Sequence, residues 1–194
     1  MNRLDQLTKG GLLKVLTRVA GDPQAPDLVK EIQEGDFDLL DLVVPFSDPA
    51  ADSPLLEAAQ GRALARGISM DQILDLIRQV RESSQVPLII SSYLNPLFRY
   101  GYPAFFQACK SLGVDGLLIL DLPFEEREEV LDLARAHGVH LIVSLVPASP
   151  PDLEVRLSQA GRLVQLVLSG EAEKDRPLEE AVKEKANLAF YQRP

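Results

Sequence analysis

Six short apolar runs recur along the chain, and their texture constrains the fold more than any other feature. Residues 12–19, 37–44, 88–92, 116–121, 141–146 and 163–168 are rich in Leu, Ile and Val and do not alternate with polar residues. A strand with one wet face alternates. A run that is apolar on both faces has to be covered on both, as in a parallel sheet flanked by helices. The segments between the runs carry helix punctuation. Ser69 stands three residues before Gln72, which is capping-box spacing ahead of 73–80. Pro123 precedes 125–137 and Gly138 follows it, while Ser149, Pro150, Pro151 and Asp152 open 153–160 and Asp175 with Pro177 opens 178–185. Strand and helix alternate throughout, which predicts parallel pairing with right-handed crossovers. Residues 188–191 are a candidate seventh strand. Pattern alone leaves two arrangements open, a doubly wound sheet and a barrel; 194 residues are few for a closed (β/α)8 barrel of about 250. No linker or composition break divides the chain, so residues 1–194 read as a single domain.

Composition narrows the function classes. The net charge is −9, which argues against nucleic acid as a partner because phosphate binding needs clustered Lys and Arg. No apolar run approaches the ~20 residues of a membrane span, and the first residues carry no signal-like core. One cysteine, Cys109, forms no internal disulfide and fits a reducing compartment, so a cytoplasmic protein is expected. Cys109 shares helical spacing with Phe105 and Leu112, the pattern of a core thiol. His137 and His140 are separated by Gly138, which breaks any shared helical face, so no metal site is expected.

The chemistry concentrates at residues 41–54, D-L-V-V-P-F-S-D-P-A-A-D-S-P, at the carboxyl end of the second run. Parallel α/β folds place their active sites there. Asp41, Asp48 and Asp52 fall within twelve residues, and Pro45, Pro49 and Pro54 fix φ along the loop. Such a loop can supply an acid/base pair, or it can be an ordinary Asp/Pro turn with solvated carboxylates.

This segment resembles the signature of the tryptophan synthase alpha chain family, E-L-G-V-P-F-S-D-P-x-A-D-G-P. Residues 57–64, E-A-A-Q-G-R-A-L, resemble the family's Q-A-A-N-x-R-A-L, and Gly21-Asp22-Pro23 its G-D-P. Residues 93–101, Y-L-N-P-L-F-R-Y-G, and 113–126, G-V-D-G-L-L-I-L-D-L-P-F-E-E, continue the likeness in the family's order. The resemblance implies a TIM-barrel-like parallel (β/α) barrel, incomplete at the C-terminus, with about six to seven strands. It implies retro-aldol cleavage of indole-3-glycerol phosphate to indole and glyceraldehyde 3-phosphate, in tryptophan biosynthesis, without a cofactor in this chain. Indole then passes to a PLP-dependent beta subunit. By motif, Asp41 takes the place of the family's acid/base Glu, and Asp52 that of the Asp that stabilises charge on the indole nitrogen. Tyr93, Leu56 and Leu166 fall at substrate-pocket positions. Asp48 and Pro49 fall in the loop that meets the beta subunit.

The departures matter as much. Asp41 is one methylene shorter than Glu, and a ~1 Å misplacement can cost on the order of a hundredfold in rate. Thr17 stands where the first strand usually offers a Phe. The stretch 169–175, S-G-E-A-E-K-D, departs from the family's mobile S-R-x-G-V-T-G loop, and the phosphate-binding loops are expected beyond Pro194. Three readings follow: a lyase of reduced or altered activity, a catalytically inactive alpha-like subunit that binds and modulates a beta subunit, and a product without a role. An open barrel would also expose strand edges, which invites self-association or closure by the C-terminal helix folding over the gap.

Overall fold

The computed structural model describes residues 2–7, 12–145, 163–167, 175–176, 178 and 189–192. The strands are β1 (Val15–Val19), β2 (Leu39–Val43), β3 (Leu88–Ser92), β4 (Gly116–Ile119), β5 (His140–Leu141), β6 (Val143–Leu145), β7 (Leu163–Leu166) and β8 (Ala189–Gln192). The helices are α1 (Leu28–Glu34), α2 (Pro54–Ala65), α3 (Met70–Ser83), α4 (Leu94–Tyr100), α5 (Tyr102–Leu112) and α6 (Glu128–His137). Every pairing is parallel, in the order β1-β2-β3-β4-β5 and β6-β7-β8. Only Ile142 separates β5 from β6, so one stretch of chain joins both sheets. Sequential order decides between the two arrangements that the sequence leaves open. A doubly wound sheet reverses its strand order at a switch point, whereas a barrel adds each strand beside the last.

Period two along each strand sorts side chains into two layers. Leu16, Leu40, Leu42, Leu88, Ile90, Leu117 and Ile119 face outward and pack on Ile73, Ile77, Val80, Phe105, Phe106 and Val130 of α3, α5 and α6. Their inward neighbours Leu39, Ile89, Leu118, Ile142, Leu163, Ala189 and Tyr191 meet one another and Leu13. One apolar layer contributed from β2 to β8 is the interior of a barrel. The double coverage explains the absence of alternation in the sequence.

The other end of the barrel is tied by charge. Buried Asp115, just before β4, accepts from Arg81 Nη2 at 3.0 Å, Leu88 N at 3.0 Å and Arg3 N at 3.0 Å. Burial and the nearby Arg3 lower Arg81 to about 10. These groups sit at the amino ends of β3 and β4, away from the loops that carry the site, so they serve the scaffold.

The expected strands run longer than the ladders. Leu12 is exposed and forms only an isolated bridge ahead of β1, and Asp121 lies past the end of β4. Val146, Leu168, the 153–160 helix and, Leu178 apart, the 178–185 helix lie outside the described residues. The helix of 125–137 splits, with a 3-10 turn at Phe124–Glu126 before α6. Gly138 ends α6 at φ +71°, between His137, whose Nδ1 lies 2.7 Å from Leu133 O, and His140, whose Nε2 lies 3.7 Å from Asp5. Cys109 is buried, and burial pushes its thiol up to about 12. No helix among the described residues is long and apolar enough to cross a membrane.

Candidate active site

Asp41 occupies the centre of β2 on the inward face, fully buried. Its Cα partner on β1 is Thr17, which donates to Asp41 Oδ2 at 3.4 Å. On the other side Ser91 Oγ of β3 donates to Asp41 Oδ1. Taking a carboxylate out of water is costly unless hydrogen bonds replace that water, and here two hydroxyls from the flanking strands do so. They also fix the plane of the carboxylate.

Asp52 lies eleven residues on, half-buried, in the loop between β2 and α2. Ser53 caps α2 by accepting from Leu56 N at 3.4 Å, and Pro54 fits the first helical turn. This fixed helix start places Asp52 beside two donors. Gln60 Nε2 reaches Asp52 Oδ2 at 2.9 Å, and the Tyr93 hydroxyl donates to the same oxygen at 3.2 Å. Tyr93 is buried, its oxygen accepts from Ala51 N at 2.9 Å, and its ring stacks on Phe46 with centroids 4.9 Å apart. Ser91 holds Asp41 and Tyr93 holds Asp52, so two residues, one near the end of β3 and one just past it, anchor both carboxylates. A second brace comes from the Gly21 turn. Arg62 of α2 grips Asp22 through two nitrogens at 2.8 and 2.7 Å, and this guanidinium holds the Asp22 carboxyl below its usual range.

The remaining expected residues divide. Leu56 is buried with Val19 and Val43, at the carboxyl ends of β1 and β2, and with Ala59 and Ala63. Asp48 is exposed and Pro49 half-exposed on the same loop. Leu166 is buried on β7 but does not join the group: Leu163 faces the barrel interior, so alternation turns Leu166 to the outer face and Gln165 inward. Gln165 accepts from Ser144 of β6 at 2.6 Å. Sequence reasoning missed Gln60, Ser91 and Phe46 as parts of the site. Gln60 left a signal, being the one polar residue on a helical face of Leu56, Ala59 and Ala63. Ser91 left a weaker one, as a hydroxyl at the inward position of an apolar strand.

A parallel sheet that adds each strand beside the last around one shared apolar interior defines a protein of the (β/α)-barrel class. The model of the tryptophan synthase alpha chain family matches residues 3–165. The chain belongs to that family. The alpha chain of Caldanaerobacter subterraneus is 42% identical over 151 residues, covering 76% of this chain. This chain spans only 58% of that relative's length. The crystal structure of the alpha chain from Legionella pneumophila superposes with a TM-score of 0.85 at 29% identity, over 99% of this chain and 76% of that one. A tryptophan synthase complex from Pyrococcus furiosus gives 0.82 at 25% identity, over 95% and 88%.

Proposed function

We propose that this chain carries the carboxylate half of an alpha-type lyase site and cleaves indole-3-glycerol phosphate slowly. The observation that carries the reading is the anchoring of both Asp41 and Asp52 on the end of β3. In the retro-aldol step the bond between the ring carbon and the side-chain carbon breaks. The ring carbon gains a proton and the side-chain hydroxyl loses one, giving indole and an aldehyde. Asp41 takes the hydroxyl proton and returns a proton to the ring carbon. Asp52, fixed by Gln60 and Tyr93, faces the positive charge that appears on the ring nitrogen when that carbon is protonated. Asp41 reaches less far than the family's Glu, so the rate falls by on the order of a hundredfold. The role belongs to tryptophan biosynthesis. The chain contains no Trp, so indole-type emission reports the ligand alone. Incubation with indole-3-glycerol phosphate is expected to release indole and glyceraldehyde 3-phosphate in equal amounts; no indole above background would contradict the assignment.

The loop itself supports a second role. Asp48 is exposed at its tip while Gln60 accepts from Phe46 N at 3.0 Å behind it. A preorganised exposed loop loses little entropy on docking. It suits contact with a PLP-dependent beta subunit, whether or not the lyase step is retained.

A further inference from the structure

We infer that Gln60 is a positioning residue whose side-chain amide links the Phe46 backbone to Asp52 and thereby sets where the Asp52 carboxylate stands. This rests on the reading of Asp52 as the group that faces the ring nitrogen. Gln60 is fully buried, and its amide has two different ends. A backbone N–H can only donate, so Phe46 N, at 3.0 Å, claims the oxygen end. The NH2 end is then directed at Asp52 Oδ2, 2.9 Å away. The Tyr93 hydroxyl approaches the same oxygen at 3.2 Å, and the Tyr93 ring stacks back on Phe46. Phe46, Gln60, Asp52 and Tyr93 therefore close a circuit in which each residue touches the next. Two donors converging on one carboxylate oxygen restrict its rotation, and a donor fixed from behind by a backbone group cannot turn away.

Two substitutions separate positioning from core filling. Gln60→Glu keeps the shape and the acceptor for Phe46 but removes the donor and sets a carboxylate against a carboxylate. Gln60→Leu keeps the volume and removes both bonds. In each, kcat for indole-3-glycerol phosphate is expected to fall about 10- to 100-fold, with KM changing less than about threefold. In an Asp52→Asn background the same changes should add nothing. A readout independent of turnover is the 13Cζ resonance of Tyr93, one of four tyrosines and assignable by Tyr93→Phe. It should shift in both Gln60 variants. If Gln60→Leu does not fold, Gln60→Glu carries the test. Variants that melt like the parent and keep both its kcat and its Tyr93 resonance would overturn the inference. A Tyr93 shift in a chain that releases no indole at all would support the positioning and contradict the lyase assignment instead.

Discussion

At the residue scale the site is a set of polar groups made affordable by specific partners. Asp22 illustrates how such a partner acts on stability. Its pKa is lowered, chiefly by the hydrogen bonds from Arg62. A carboxylate whose folded pKa lies below its unfolded value stabilises the fold above the unfolded value, near 3.9, and loses that contribution as pH falls through the folded one. Arg62→Met should therefore cost about 1 kcal/mol of stability at neutral pH, which lowers the melting temperature by roughly 2–4 °C. The gap from the parent should narrow as pH drops below about 4. Thermal melts of both proteins across that range check it, and a gap that stays constant would show that the ion pair is not its source. Ser91→Ala tests the other carboxylate. It strips a donor from buried Asp41, and is expected to cost about 1–3 kcal/mol in a denaturant titration.

At the scale of elements, tight turns and caps aim the site loops. Gly21 adopts φ +76°, and a Cβ there would stand 2.7 Å from Ile68 Cδ1. Gly21→Ala combines strain with a clash and should cost more than about 1 kcal/mol, measured by chemical unfolding. The α3 capping box is smaller in effect: Ser69→Ala should cost about 1 kcal/mol. Both strand texture and this capping box were legible in the sequence, because burial on two faces and paired cap residues leave local signatures. The strand ends were not, since Leu12 and Val167 continue the apolar run and hydrogen-bond ladders leave no mark in composition. α1 and α4 are seven residues each, too short to display a period, and α2 mixes Ala and Gly with Leu on several faces. The site followed the same division. Asp41, Asp52 and Tyr93 stood out through motif, but the faint signals of Ser91 and Gln60 gained their meaning only when the register and the start of α2 brought them against those carboxylates. Leu166 shows the converse, because a one-residue offset on a strand exchanges inside for outside.

At the scale of the whole molecule, β1 and β8 stand at the outer ends of the described strand order. A strand edge left open in that order would favour association. Light scattering after size exclusion is expected to give a mass above 21.4 kDa for the protein alone; a stable particle of 21.4 kDa would contradict self-association. On the proposed docking role, Asp48→Ala is expected to weaken binding to a beta subunit, read by titration calorimetry, without loss of melting temperature. The central claim, however, is that Asp41 and Asp52 act together on one substrate. The most direct measurement of it is the rate of indole release from indole-3-glycerol phosphate by the parent, Asp41→Asn and Asp52→Asn. The account predicts slow release by the parent and loss of at least about a hundredfold in each variant, because each removes a charge the step requires. Release unchanged by either substitution would contradict it.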